Sequence, residues 1–427
     1  MSKRYFSKKS RWEPRLFIIM GVITGLLALG LGAQHLLVRG RPHLPMTGGA
    51  SSASQDTLAQ AYALVEQGAY DEAEQMLRPL LRGRDPVLTP RAVILQADIE
   101  QFRGNKDAAL ELLSNAYDTF RGSPEYPYIA ARKARQLEVM DRDFEARAIH
   151  ESLRDNAPPE IRAIGYLGLA RLAERDTDLV VARDLYQRAV EDAPWGSALW
   201  DEAVDALGRL NVELIFSPRE TPESRYYLVE SGDNLISIGM KLNTTQGLLM
   251  VANNIEDPAR LSLGQRLKYT PKDFKIIIER SSCTLYLLDN QGLFKRYKVG
   301  LGKASHETTL GHYTIGNKQK DPTWFKPGAE PIPPGHPENE LGTRWMPMTP
   351  AEEGLPHDLG IHGTIAPDTI GSFASRGCAR MYARDVEELY DLVVRGTPVE
   401  VVELYTPDRG TGEPATMARH GEDGDLG

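Results

Sequence analysis

Gly360-Ile-His-Gly-Thr364 and, a short loop later, Ser375-Arg-Gly-Cys-Ala-Arg-Met381 are the stretch on which the reading of this chain turns. A thiol attacks acyl carbons only as thiolate, and a neighbouring imidazole lowers its pKa and shuttles the proton. Gly377, immediately before Cys378, lets the backbone turn so that successive N–H groups face a developing oxyanion. His362 and Cys378 are 16 residues apart, which fits adjacent strands or strand ends. Spacing alone leaves a second reading open: a packed, inert cysteine and a hydrogen-bonded structural histidine. Upstream, Lys275–Glu279, Thr284–Asp289 and Leu293–Val299 read as consecutive strands, with Asp289-Asn-Gln-Gly292 as a turn. Downstream, Asp385 with Glu388 predicts a capped helix whose apolar positions are Val386, Leu389, Tyr390 and Val393. Gly396 stops it and Pro398–Val402 is a final strand, so this region is mainly β with one good helix.

The words around the pair narrow the choice. Gly300-Leu-Gly-Lys303, Glu307-Thr308, Ile332-Pro-Pro-Gly335, Leu341-Gly-Thr-Arg-Trp345, the two segments above and Gly396-Thr-Pro-Val399 follow one another in order. Residues 273–405 thereby resemble the catalytic domain of the L,D-transpeptidases, cysteine enzymes that build peptidoglycan. The resemblance implies that Cys378 takes an acyl group from a tetrapeptide stem, releasing D-Ala, and passes it to an amine. It implies His362 as general base and acid, the Gly363 carbonyl as its orienting acceptor, and the N–H groups of Gly377 and Cys378 as oxyanion hole. Thr364, Ser375, Arg376 and Arg380 would support the loop or the substrate, Arg380 in a structural role. No cofactor and no metal are implied. Arg376 stands where His or Lys is frequent, and Thr309-Leu310 replaces a Pro-containing turn. Cys283 is expected in a strand and unpaired, since a bridge to Cys378 would silence the nucleophile. His312, His336 and His357 have no part in the pattern.

Before this region, Tyr226–Val229 predicts a strand and Ser231-Gly-Asp-Asn234 a turn that caps a helix bearing Leu235, Ile238 and Leu242. A second helix follows Thr244-Thr245, and Leu263-Gly-Gln-Arg-Leu-Lys-Tyr269 returns as a strand. With Ala252-Asn-Asn-Ile255, this βααβ pattern over 225–270 resembles a LysM domain. The resemblance implies binding of N-acetylglucosamine-containing glycans in a groove lined by Gly232, Asp233, Asn253 and Asn254. Plain turn chemistry also accounts for those residue types. The segment has no nucleophile or base, so its removal is expected to weaken wall binding and spare turnover of small soluble muropeptides.

Residues 57–216 repeat. Ala73, Ala109, Ala146 and Ala182 recur 36, 37 and 36 residues apart, and Ala61, Ala97, Ala134 and Ala170 each lie twelve residues earlier. Small residues where two helices cross, with Pro158 and Pro194 closing units, describe stacked helical hairpins. The array resembles tetratricopeptide repeats in about four divergent units. Its period is long, Pro79 falls inside a helix, and His150 stands where an apolar residue is usual. A protein partner and a plain spacer are both consistent with that pattern.

Residues 16–38 form an almost unbroken apolar run of 23, long enough as a helix to cross a bilayer. Six basic side chains within 1–15 predict a cytoplasmic N-terminus and an uncleaved anchor. The rival is a cleavable signal, with Gly30-Leu-Gly-Ala33 as a small-residue site. Residues 39–56 read as a linker and 406–427 as a disordered tail. The expected architecture is multidomain α+β: a transmembrane helix, a helical repeat array, a LysM-like module and a mainly β catalytic domain. The repeats, module and catalytic domain would then lie outside the cytoplasm, in periplasm or cell wall, with peptidoglycan and membrane as partners. A net charge of −9 gives no footprint for nucleic acid. Two cysteines are too few for a disulfide framework. Three rival functions remain. Hydrolysis of the same thioacyl intermediate would make an L,D-carboxypeptidase or amidase, a zinc hydrolase would use His357 and His362, and a wall tether would do no chemistry. The chain has no Ser-x-x-Lys, which disfavours a penicillin-binding serine enzyme.

Overall fold

The computed structural model describes residues 52–155, 157–325, 328 and 330–407. The expected basic N-terminus 1–15, span 16–38 and nearly all of the tail 406–427 lie outside the described residues. Among the described residues no helix is long and apolar enough to cross a membrane. The chain divides into two units, Met1–Asp176 with Arg188–Glu202 and Thr177–Gln187 with Ala203–Gly427.

Helices come first: α1 Ser52–Glu66, α2 Tyr70–Leu81, α3 Leu88–Phe102, α4 Lys106–Thr119, α5 Tyr126–Val139, α6 Asp143–Arg154, α7 Pro159–Arg175, α8 Leu179–Asp192 and α9 Ala198–Phe216. All eight repeating alanines are at 1% exposure or less, because the helix axes approach each other there. A second period accompanies them. Gly68, Gly104, Asp141 and Thr177, five residues before Ala73, Ala109, Ala146 and Ala182, all take positive φ in the turn between helices. Glycine accepts that conformation freely, whereas Asp141 and Thr177 hold it under strain. α1 begins at Ser52, inside the stretch expected as linker, because a packed amphipathic helix carries a weakly helical N-terminal turn with it. Pro79 is tolerated two residues before the end of α2.

His150 is where the repeat departs most. Its Nε2 lies 2.7 Å from Glu138 Oε1, and both side chains are buried. Burial alone would raise the Glu138 pKa. Arg171, His150 and Arg135 together hold it well below the usual carboxylate range. The imidazole occupies the space left by Gly168, where a Cβ would fall 2.2 Å from the ring. One turn earlier, a Cβ on Gly165 would meet Arg154 N at 2.6 Å and His150 O at 2.7 Å, so α6 and α7 touch backbone to backbone.

The second unit contains the small module and the sheet. Strands β1 Arg225–Leu228 and β2 Arg266–Tyr269 pair antiparallel around helices α10 Leu235–Lys241 and α11 Gln246–Ala252. Asn234 caps α10 through a capping box with Ser237, and Thr245 Oγ1 accepts from Leu248 N to cap α11. Val229, Leu235, Ile238, Leu249 and Leu267 make its own core. The module is not free-standing. Leu248 of α11 and Ile215 of α9 belong to the same buried cluster as Phe274, Ile276 and Leu389. Thr245 Oγ1 donates to Asp391 O at 2.5 Å, and Lys268 Nζ donates to Leu214 O and Ser217 O. The expectation that removing 225–270 spares turnover is therefore corrected: the deletion would uncover the core of the sheet.

Strands β3 Lys275–Glu279, β4 Thr284–Asp289, β5 Gly292–Lys298, β6 Leu301–Gly302, β7 Gly311–Ile315, β8 Gln319–Lys320, β9 Arg344–Pro350, β10 Gly360–His362, β11 Phe373–Ser375, β12 Ala379–Arg380 and β13 Pro398–Val402 follow, with helix α12 Ala383–Leu392 between the last two. The main sheet runs β12-β10-β9-β7-β13-β3-β4-β5, with β8 against β9, and β11 pairs with β6 apart from it. α12 buries Val386, Leu389 and Leu392 on the sheet. Its expected cap is not used: the helix starts at Ala383, with Asp385 in its first turn. Glu388 instead accepts from Lys295 Nζ at 2.5 Å and Tyr297 OH at 2.7 Å. Cys283, expected in a strand, sits in the turn before β4 with φ +50°.

Gly165→Ala must separate two backbones, so it should destabilise the protein by roughly 1–3 kcal/mol in denaturant unfolding. Gly122→Ala, at a glycine with nothing within 4 Å, should change little.

Candidate active site

His362 ends β10 and Cys378 immediately precedes β12. These strands are parallel neighbours, with Ile361 opposite Ala379 and His362 opposite Arg380. The pairing brings two residues 16 apart in sequence to one edge of the sheet. Alternation along β10 sends Ile361 into the core and His362 to the other face, where the Trp345 ring packs on the imidazole at 5.7 Å between centroids. Trp345 has room because residue 360 is glycine: a Cβ there would lie 2.4 Å from the indole.

The imidazole is buried, and its Nδ1 lies 2.6 Å from Gly363 O. Gly363 is itself fixed by close contact with Leu341-Gly342-Thr343, and Gly342 takes the positive φ (+65°) that this approach needs. Burial, and secondarily Arg380, push the His362 pKa down to about 4 against hydrogen bonds to the backbone of Gly363 and Glu340 that favour the charged form. Cys378 is half-buried at its surface, yet its sulfur is enclosed enough that burial pushes the thiol up to about 11. The Sγ donates to Asp358 O at 3.6 Å rather than to the imidazole. The expectation of a thiol already lowered by its histidine is thus corrected. Burial thus disfavours both the thiolate and the imidazolium in the resting site.

Around the sulfur, Ser375 Oγ donates to Cys378 O at 2.6 Å and accepts from Gly377 N at 3.1 Å. The Gly377 N–H is therefore spoken for, so the expected pair of free oxyanion donors is incomplete. Gly377 has φ +113°, and a Cβ would meet Leu359 Cδ2 at 2.8 Å, so only glycine fits before the thiol. Its carbonyl accepts from Thr308 Oγ1 at 2.7 Å, and Gly302 N donates to the same hydroxyl at 3.0 Å. Arg380 pairs with Glu340 at 3.1 Å, which ties the loop before β9 to the strand behind Cys378. Thr364 Oγ1 caps its own turn by accepting from Ala366 N, and Arg376 is exposed. Thr308, Glu340, Trp345 and Asp358 emerge only from the structure. Thr308 and Trp345 belong to the segments Glu307-Thr308 and Leu341–Trp345, but nothing local in the sequence told their contacts.

Other expected residues are dispersed. His357 is exposed, His312 lies 2.5 Å from Glu352, and both cysteines are free thiols. In the small module Gly232 and Asn254 are exposed. Asp233 accepts from Tyr227 OH and Glu230 N within its turn. Asn253 is bound at both ends of its amide, donating to Leu249 O and Lys268 O and accepting from Lys268 N. It holds the module closed and offers no amide atom to a groove.

A family model for the L,D-transpeptidase catalytic domain (YkuD) matches residues 273–401, and one for the LysM domain matches 227–270. The chain is 31% identical over 181 residues to the YkuD L,D-transpeptidase of Bacillus licheniformis, covering 41% of this chain and 97% of that protein. The Bacillus subtilis protein of the same name is 31% identical over 182 residues, again 41% and 97%. Among solved structures, an L,D-transpeptidase from Mycobacterium smegmatis overlaps 33% of this chain and 64% of its own, at 14% identity and a TM-score of 0.26.

A thiol near pKa 11 is only about 10⁻⁴ ionised at pH 7. Alkylation of Cys378 by iodoacetamide, followed by mass spectrometry, should therefore rise about tenfold per pH unit from pH 7 to about 10. A plateau already reached near pH 6 would mean a preformed thiolate–imidazolium pair.

Proposed function

The chain belongs to the L,D-transpeptidase family, and from that premise we propose that it transfers peptidoglycan tetrapeptide stems through a thioester on Cys378. The supporting observation is the strand pairing that sets His362, oriented by Gly363 O, beside the segment bearing the thiol. In this reading the thiol proton passes to His362 as Sγ bonds to the carbonyl carbon of the third stem residue. The C–N bond to D-Ala then breaks, and the imidazolium returns the proton to the leaving amine. An acceptor amine attacks the thioester and gives its proton to His362, which restores the thiol as the C–S bond breaks. Because both groups rest neutral, charge separation is confined to the moment of attack, when substrate covers the site and its developing oxyanion needs N–H donors. Cys378 N–H supplies one, and Gly377 N–H a second once Ser375 Oγ releases it. Thr308 and Glu340 hold the two sides of the site.

The proposal extends to the whole chain. Residues 16–38 anchor it with residues 1–15 in the cytoplasm, the repeats 57–216 act as spacer or partner surface, and the module 225–270 holds glycan. The catalytic part 273–405 works on the wall outside the membrane. A tether raises the local concentration of a weak single glycan-binding module at its polymer.

Purified protein incubated with disaccharide-tetrapeptide should give cross-linked dimer, and exchanged tetrapeptide when a free D-amino acid is added, both resolved by mass spectrometry. Tripeptide alone would assign hydrolysis and overturn transfer. Cys378→Ser should abolish turnover and labelling by a carbapenem, and Cys283→Ser should leave both. His362→Ala should slow acylation by roughly 10²–10⁴-fold, the usual worth of a positioned acid–base group, while His357→Ala should not. Equal losses in the two histidine variants would mean that the base is misassigned.

A further inference from the structure

An open cleft of about 690 Å³ separates the α10–α11 turn of the LysM module from the catalytic sheet and α12. None of Gly232, Asp233, Asn253 or Asn254 lines it. It is also separate from the thiol site. Trp345 faces His362, so alternation turns Arg344 to the opposite face of β9, where its guanidinium lies 5.3 Å from the Tyr390 ring.

The two walls differ in chemistry. On the catalytic side stand Lys318, Lys320, Arg344 and Arg395, with Asp391 as the one acidic residue of the lining. Lys318 is fixed, its Nζ donating to Tyr390 O and Val393 O at the end of α12. Lys320 and Arg395 are exposed at the rim, and among the described residues neither has an ion-pair partner. On the module side the lining is uncharged: Asn243, Thr244 and Gln246 offer amides and a hydroxyl, beside Met240 and Met250. Arg344 lies 3.9 Å from Asp321 and from Glu387, and Lys318 is held by carbonyls, so Lys320 and Arg395 are the two lining cations left without either kind of partner among the described residues, on a chain of net charge −9. Such a patch attracts anions and repels cations at a range of about one Debye length, near 10 Å at 0.1 M salt.

We propose that this cleft is a second binding site, for a carboxylate-bearing stretch of peptidoglycan whose sugars and amides lie on the module wall and whose stem carboxylates meet Lys320 and Arg395. The open shape suits an extended polymer rather than a small enclosed ligand. Neither the thiol pair nor the residues expected to bind glycan line it, so the cleft adds grip on a strand without touching the chemistry. The identity of the polymer rests on the proposed function; the anion preference rests on the cleft alone.

The test is Lys320→Glu with Arg395→Glu, both exposed positions whose change leaves the core intact. Binding of a soluble peptidoglycan oligomer of disaccharide-tetrapeptide units is measured in the Cys378→Ser background, at low and at high salt. The double variant should bind at least tenfold more weakly at 50 mM salt, and the gap should close at 0.5 M. An oligomer with amidated carboxyl groups should be insensitive to the substitutions. With Cys378 restored, turnover of the monomeric tetrapeptide should be unchanged. Equal oligomer affinity in parent and double variant overturns the cleft proposal. So does charge-sensitive binding of poly(glycerol phosphate) with none of the oligomer, which would assign a phosphate polymer instead. Absence of tetrapeptide turnover by the parent enzyme would sink the proposed function instead, and so tells the two failures apart.

Discussion

The parallel pairing of β10 with β12 is the constraint on which the rest of the site depends. Two parallel strands cannot be joined by a tight hairpin, so the chain must travel through a long connection before it returns. Here that connection, residues 363–378, carries both Gly363 and the Ser375–Cys378 turn. The groups that handle the proton and the thiol are thus mounted on the two ends of one crossover, and a shift of either strand would misalign them. The glycines follow from this. Gly360 makes room for the indole, Gly363 and Gly342 for each other, and Gly377 for Leu359. Each marks a place where two chain segments come closer than a Cβ allows.

Burial is the second determinant, and it acts against both reactive groups at once. A carboxylate or imidazolium near the sulfur would favour ionisation of one partner at the expense of the other's neutrality. The structure supplies a carbonyl on each side: Asp358 O for the S–H and Gly363 O for Nδ1. Carbonyls orient without adding net charge. Burial pushes the thiol up, which disfavours the thiolate. Arg380 pairs with Glu340 at 3.1 Å, and its pull on the thiol is outweighed by burial.

What was legible in the sequence was local. The alanine period predicted the helix crossings because a helix pair that touches there admits only a small residue. Asn234 and Thr245 announced their helices because an N-cap is satisfied within three residues. Four strands, β3, β4, β5 and β13, were visible as apolar runs bounded by turns, whereas β7 and β9, between β13 and β10 in the sheet, were not. What escaped was set by partners far along the chain. Glu388 looked like half of a capping box, but Lys295 and Tyr297, more than ninety residues earlier, offer it charge-assisted and buried hydrogen bonds. Ser375 could not be known to occupy the Gly377 N–H, because that depends on a rotamer. Asn253 had the residue type of a sugar ligand and the geometry of a clamp. Thr308 serves Gly377 from across a loop, and no periodicity records such a contact.

The same long-range logic changes what kind of enzyme this is. A carbohydrate module joined by a flexible linker would merely raise local substrate concentration, and its groove would adopt many orientations relative to the thiol. Here Leu248 is buried in the cluster that holds the catalytic sheet, Thr245 bonds the last turn of α12, and a Cβ on Gly247 would strike the Asp391 carboxylate. Lys268 closes the carbonyl end of α9 from inside the module. A module so held presents its outer turns at a fixed direction from the reactive strand edge. Buried contacts rather than a flexible linker therefore set that direction, and the module and the catalytic sheet share one core.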